Sequence, residues 1–327
     1  MSGAGWSMQS PAGVGALGVI GLVAADGAEL DRTLGAIGLG GLGVGQVALR
    51  NLLDVDQGVV MRWSATMAAL MPHGGGAVVR ALCGALEARG IARIETAPAR
   101  RVYPEAADDL EAAMLAALAR APSPLAVDLL LDQPRRWREP SASCKPERDR
   151  QLQRLLKPPL VVAIGASNIG KSTLANALAG RPVSLVADEP GTTRDHVGVM
   201  LDLAGLVVRY VDTPGVRDGA PQVEAEAGRI AREVLARADL VLLCCDARSG
   251  LIEGAKVPTA TEVLRVGLRC DLGSPASGVD EAVSIHRPET ITRLVSAIRD
   301  RLIPGSVLAD PGPWRFWNEG EVEGFGP

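Results

Sequence analysis

Long apolar runs are missing from this 327-residue chain, and no uninterrupted stretch approaches the roughly 18–20 residues that a membrane-spanning helix needs. A helical integral membrane protein is therefore not expected. The first residues lack a basic segment ahead of Gly13–Ala25, so a cleaved secretory leader is not expected either. Cysteine is scarce and unpatterned: Cys83, Cys144, Cys244, Cys245 and Cys270 are odd in number, and none forms a C-x-x-C pair. That argues against a disulfide framework or a zinc site and points to a reducing, cytoplasmic setting. Positive charge is not in excess. The formal net charge is −4, which leaves no global basic field for nucleic acid, so any RNA contact must be local or through a partner. Lysine is nearly absent, with Lys145, Lys157, Lys171 and Lys256 alone. Beside abundant Ala and Gly this looks like base-composition drift, and arginine richness is given no functional weight.

The length allows two domains with ample core. Residues 1–12 are small and polar and are expected to be disordered. An apolar run from Ala16 to Ala25 reads as a first strand, and Glu29–Ile37 as a helix. The glycine-rich stretch Gly38–Gly45 has no long helix after it and reads as a connection. Leu49–Trp63 reads as a hairpin turning near Asp56-Gln57-Gly58. Ser64–Met71 is a further strand, Ala77–Arg89 an amphipathic helix behind Pro72-His-Gly-Gly-Gly76, and Ile91–Glu95 a last strand. A small α/β domain over 13–100 results. Residues 101–154 form a short helical segment, with helices at Pro104–Leu118 and Pro124–Leu131 and an exposed linker over 134–150. A nucleotide-binding domain follows over 155–303, then an extended tail over 304–327 whose two tryptophans more readily cover an apolar patch than dock a partner.

The second domain carries the chemistry. Residues 165–172 read Gly-Ala-Ser-Asn-Ile-Gly-Lys-Ser, a complete G-x-x-x-x-G-K-S loop. It follows the apolar strand Leu160–Ile164 and opens a helix at Thr173–Leu178, the context this motif requires. Backbone N–H groups around Ile169, Gly170 and Thr173 would cradle phosphates, Lys171 would reach the β- and γ-phosphates, and Ser172 a magnesium ion. Gly191-Thr-Thr-Arg-Asp195 lies where a first switch belongs, with Thr193 offering a hydroxyl to magnesium and γ-phosphate. Leu206–Val211 is a strand ending in Asp212-Thr-Pro-Gly215. Asp212 can hold a magnesium-bound water, and the Gly215 N–H can sense the γ-phosphate. Leu240–Cys245 is another buried strand, with Asp246 at its end facing the nucleotide edge.

Asn168 in the loop, Gly-Thr-Thr-Arg-Asp at 191–195 and Asp-Thr-Pro-Gly at 212–215 together resemble the TrmE–Era–EngA group of P-loop GTPases, most nearly the TrmE tRNA-modification family. The resemblance covers residues 160–303 and implies an α/β fold: a GTPase domain with a mostly parallel sheet, behind a small α/β domain of TrmE N-terminal type and a short helical segment. It implies Mg²⁺-dependent, K⁺-stimulated hydrolysis of GTP to GDP, with K⁺ held by Asn168, Thr192 and loop carbonyls near Glu189. The family has no glutamine after its D-x-x-G, and Val216 stands there here. Many members carry a hydroxyl residue where this chain has Ala187. The family's water-orienting glutamate corresponds to Glu224, although a carboxylate at a helix start equally serves the helix dipole.

Guanine is normally selected by N-K-x-D. The matching residues are Leu268-Arg-Cys-Asp271, so Asp271 keeps its acceptor, Leu268 cannot replace the asparagine, and Arg269 can stack in place of lysine. Ser284-Ile-His286 stands at the S-A-K turn, with Ile285 backing the base through its main chain. In the first domain His73-Gly-Gly-Gly76 is similar to the family's H-G-G turn, which implies a homodimer through this domain. The family's folate contacts fall here on Gly21 and Ala69, which argues against folate. No counterpart of the C-terminal C-x-G-K motif is found. A TrmE-like GTPase linked to tRNA wobble-uridine modification is the leading expectation. A nucleotide-gated scaffold with little hydrolysis and an Era- or EngA-like ribosome-assembly role stand behind it.

Overall fold

The computed structural model describes residues 4–10, 15–94, 98–139, 143–180, 198–212, 233–251, 257–259, 261–274, 277–317 and 322. Two units result. One comprises Met1–Ala121, Asp128–Ser143 and Arg315–Pro327, the other Pro122–Val127 and Cys144–Trp314.

The first unit is built on a six-stranded sheet of β1 (Gly5–Met8), β2 (Ile20–Val23), β3 (Val47–Leu52), β4 (Asp56–Arg62), β5 (Met67–Met71) and β6 (Ala92–Arg93). Their order is β3-β4-β5-β2-β1-β6, antiparallel throughout except for the β1–β6 pair. Helices α1 (Gly27–Ala36) and α2 (Gly76–Ala88) supply Leu30, Leu34, Leu82 and Leu86 to a core shared with Ile20, Leu22 and Leu70. Asp26 starts α1 by accepting from the Glu29 amide at 2.8 Å, and Glu29 reaches back to the Ala25 amide at 2.7 Å.

Three expectations for this unit are corrected. Residues 1–12 are not wholly disordered, because Gly5–Met8 pairs with both β2 and β6 and buries Trp6. One partner, β6, is remote in sequence, and Gly5–Met8 has too few apolar residues to read as a strand by itself. The hairpin turns at Leu53 and Asp54, which have φ of +58° and +60°, and not at Asp56-Gln57-Gly58. Asn51 fixes that turn by accepting from the Asp54 amide at 2.7 Å. Gly58 is needed inside β4: a Cβ there would lie 2.6 Å from the Met71 carbonyl oxygen. After α3 (Ala99–Val102), α4 (Asp109–Arg120) and α5 (Leu125–Leu131), the exposed linker over 134–150 is partly helical, with α6 (Gln133–Trp137) at its start and α7 (Pro146–Leu152) at its end. Helix α4 starts later than Pro104 because Asp108 caps it, accepting from the Glu111 amide at 2.8 Å. Trp137 is buried with its ring centroid 5.1 Å from that of Trp317.

The second unit holds β7 (Leu160–Gly165), α8 (Lys171–Ala179), β8 (Val199–Leu203), β9 (Leu206–Asp212), β10 (Leu240–Cys245), β11 (Glu262–Gly267), β12 (Glu281–Ala282), α9 (Pro288–Leu302) and α10 (Gly305–Leu308). The sheet order is β12-β11-β10-β7-β9-β8, parallel except for the β8–β9 hairpin. Strand β7 is central and buried at every residue, as a strand covered on both faces must be. Helix α9 lays one stripe of Thr290, Leu294, Ile298 and Leu302 against the unit's core. The tail is not simply extended. Arg148 of α7, almost enclosed, donates to Asp310 at 2.7 Å and to the carbonyls of Gly312 and Pro313 at 2.7 and 2.5 Å. Strands β7, β9, β10, β11 and β12 all point their C-terminal ends to one edge, where open parallel sheets bind ligands.

Candidate nucleotide site

Strand β7 delivers the chain to Gly165, where a Cβ would lie 2.5 Å from the Cys244 carbonyl oxygen of β10, so only glycine allows that approach. Asn168 and Gly170 then take φ of +62° and +107°, coiling the loop, and Ile169 is buried beneath it. Lys171 opens α8 with its side chain nearly enclosed. Its Nζ donates to the carbonyls of Gly165 at 3.1 Å and Ala166 at 2.8 Å. An ammonium is thereby held inside a ring of backbone at a helix N-terminus, a setting that selects anions.

Ser172 and Asp212 come together as the sequence predicts. The Ser172 hydroxyl donates to Asp212 Oδ2 at 2.5 Å, and β9 brings Asp212 level with Ala163 of β7. Asp212 Oδ1 is buried and has no hydrogen-bond partner among the described residues. A hydroxyl and a carboxylate with an unpartnered buried oxygen are hard donors that suit Mg²⁺. Thr192, Thr193, Gly215 and Glu224, with Ala187, Glu189 and Val216, lie outside the described residues.

On the base side a cavity of about 260 Å³ is lined by Ile169, Gly170, Thr173, Leu268, Arg269, Asp271, Ile285 and His286, among others. Asp271 Oδ1 accepts from Ser284 Oγ at 2.5 Å. That bond, more than any other influence, holds the Asp271 carboxyl below the usual carboxylate range. Ser284 is itself fixed, its amide donating to Thr290 Oγ1 at 3.0 Å. Leu268 is buried in the cavity wall and Ile285 is exposed at its rim.

Arg269 is engaged in a way that the sequence did not disclose. With φ of +55°, it sends its guanidinium to donate to the Asn168 carbonyl at 2.7 Å, while Nη1 lies 3.8 Å from Asp246 Oδ2. Asp246 in turn accepts from the Arg248 and Ser249 amides at 3.0 and 2.7 Å. Burial opposes the charge of Asp246, yet these bonds and Arg269 hold its carboxyl below the usual range. Asp246 thus stands at the end of β10, where its place after a buried strand put it in the sequence, and ties its own turn to Arg269.

In the first unit His73 has a partner that sequence reasoning missed. Its amide donates to Asp56 Oδ2 at 2.8 Å, and its Nδ1 lies 3.0 Å from both carboxylate oxygens. Those bonds, the amide's first, lower the Asp56 pKa.

Residues 160–266 match the family model described as 50S ribosome-binding GTPase. The chain is 44% identical over 142 residues to the tRNA modification GTPase MnmE of Acidiphilium cryptum, covering 43% of this chain and 32% of that protein. It is 47% identical over 147 residues to the MnmE of Mesorhizobium japonicum, covering 43% and 33%. The matched region thus spans about a third of the length of these curated relatives. Solved structures that resemble it include Aquifex aeolicus Era bound to GDP·AlF4⁻, at 26% identity and TM-score 0.35, covering 43% of this chain and 56% of that one. Another is the FeoB G-domain of Methanococcus jannaschii, at 22% identity and TM-score 0.33, covering 44% and 98%. Among the described residues no helix is long and apolar enough to cross a membrane. The loop, its lysine, the Ser172–Asp212 pair and the sequence matches agree: the second unit carries a P-loop GTPase domain, similar in sequence to part of the MnmE proteins.

Proposed function

We propose that this chain binds GTP and hydrolyses it to GDP and phosphate. The observation that carries the reading is the joint placement of the enclosed Lys171 ammonium and the Ser172–Asp212 pair at the end of one central strand. Lys171 and the amides of the α8 N-terminus bind and orient the phosphates. Ser172 and Asp212 would hold Mg²⁺, which supplies compensating charge at the β- and γ-phosphate oxygens. Thr193 and Gly215 recognise the γ-phosphate, and Glu224 orients the attacking water. By the family resemblance Asn168 and Thr192 would hold K⁺, which would supply further compensating charge. Asp271, Ser284 and Ile285 receive the base. The activity serves tRNA modification at the wobble uridine, with a tRNA or a tRNA-modifying protein as partner and a homodimer through the first unit; the likeness to tRNA modification GTPases supports the tRNA part of this reading alone.

Phosphate release from GTP by the full chain, measured in KCl and in NaCl with Mg²⁺, tests the reading. Release stimulated by potassium and abolished in Lys171→Ala supports it. Absence of release in either salt overturns it in favour of a scaffold that binds nucleotide without turnover.

A further inference from the structure

We propose that the segment Pro122–Val127 is the outlet for the nucleotide state. It grips the turn end of the β8–β9 hairpin, and the grip loosens when a nucleoside triphosphate engages the far end of β9. The proposal rests on the nucleotide reading above and adds a regulated element to it.

Strand β9 has two dissimilar ends. Its last residues, Arg209–Asp212, pair with Leu160–Ala163 of β7, and Asp212 accepts from Ser172 at 2.5 Å. Its first residues, Leu206–Val208, pair with β8 alone, because β7 begins only opposite Arg209. The turn end of the hairpin therefore overhangs the central strand and leaves one side of β9 without a neighbour in the sheet. Pro122–Val127, which belongs to the second unit, takes that side. The Arg209 amide donates to the Pro159 carbonyl at 2.9 Å, and two residues back the Val207 amide donates to Ser123 Oγ at 3.0 Å. Ser123 thus continues the row of acceptors that the chain entering β7 begins. The Leu125 amide donates to the Gly205 carbonyl at 3.1 Å. Gly205 has φ of +86°, and a Cβ there would lie 2.8 Å from Leu125 Cγ. Ser123 is 1% exposed and Ala126 fully buried, so this is a packed contact and not a surface touch.

The hairpin is consequently held at both ends of a strand of seven residues, roughly 20 Å long. On the reading above, Ser172 and Asp212 hold Mg²⁺ with either nucleotide, and only a γ-phosphate engages the residues directly after Asp212. The pull of a triphosphate acts on one end of a paired, stiff hairpin. At the other end, the hydrogen bonds of Ser123 and Leu125 take up the displacement. Leu125 opens α5, so loosening the grip frees the first turn of that helix. A diphosphate exerts no such pull and leaves the grip closed.

Hydrogen exchange of the full chain tests this at the Leu125–Val127 and Val207 amides. Three states are compared: no nucleotide, Mg·GDP, and Mg²⁺ with the β,γ-imido analogue of GTP. Protection of the Val161–Ile164 amides reports binding in the same samples. Exchange at the four grip amides should agree within about twofold in the first two states and be about tenfold faster with the analogue. Coupling is reciprocal, so Ser123→Ala, which has already lost the grip, should favour the analogue over GDP by about threefold to tenfold more than the unaltered chain does. The three-state comparison decides alone if that variant does not fold. Equal or slower exchange with the analogue, while Val161–Ile164 gain protection, overturns the proposal and leaves the nucleotide reading standing. An unchanged affinity ratio in a folded Ser123→Ala overturns it as well. No protection of Val161–Ile164 by either nucleotide overturns both.

Discussion

Lys171→Met separates what the phosphate loop needs for folding from what it needs for ligand. The lysine is 5% exposed, and its Nζ donates at 3.1 and 2.8 Å to the Gly165 and Ala166 carbonyls. Methionine keeps the volume and removes the charge. Two opposing effects decide the outcome. Each charge-assisted hydrogen bond contributes about 1.5–3 kcal/mol, so losing both costs roughly 3–6 kcal/mol. Against that, enclosing an ammonium in this setting itself costs several kcal/mol, which the variant recovers. The effects nearly cancel, and opening of β7 should shift by no more than about 1.5 kcal/mol in either direction without nucleotide.

With nucleotide the two proteins should part. GDP at a hundred times its Kd protects the unaltered domain by about 2.7 kcal/mol, and that protection should vanish in the variant. Native-state hydrogen exchange of the Val161–Ile164 amides, with and without Mg·GDP, reads both quantities in one strand and needs no two-state assumption for the whole chain. A loss above about 3 kcal/mol without nucleotide would make Lys171 a structural lysine first and refute the cancellation. Full GDP protection in the variant would refute its phosphate role.

Two further outcomes test other parts of the second unit. Tyr210 is fully buried in β9, and its hydroxyl has no hydrogen-bond partner among the described residues. Burial pushes its phenol well above the ordinary value. Tyr210→Phe should raise β9 opening by about 1 kcal/mol in hydrogen exchange, and a destabilised variant would show that the hydroxyl is satisfied. Asp310 is held down to about 2 by the Lys145 ammonium first, then by the Gly312 amide and the charge of Arg148. Its folded value lies below the unfolded 3.8, so its contribution is complete above about pH 4 and is lost as the pH falls towards 2. Asp310→Asn should therefore be less stable at pH 7 and no different near pH 2; acid-unfolding curves that superimpose throughout would contradict this.

The phosphate side was legible because its parts are contiguous: strand, loop and helix run without a break from Leu160 to Ala179. Asp212 was legible for a similar reason, standing at the end of an apolar strand. The base side was legible only in part. Asp271 and Ser284 were named from short motifs, but the bond that joins them crosses from one strand end to another. The expectation that Arg269 stacks on the base left out its backbone. A left-handed residue there turns the side chain toward Asn168, a residue 101 positions away. In the first unit β1 escaped notice because it is four residues long and one of its partners, β6, is remote, and the hairpin shifted because Gly58 serves a close strand contact.

The two halves of the site are also free to diverge to different degrees. On the proposed reading phosphate would be held by backbone amides, one ammonium and an oxygen pair, and the loop geometry depends on glycines that few replacements can match. The base would be received by side chains from separate strand ends, where a single exchange changes one contact and leaves the fold intact. Arg269 and Asp246 join the halves, because they tie the base loop to the Asn168 carbonyl of the phosphate loop. Base selectivity can therefore drift while the phosphate loop stays in place.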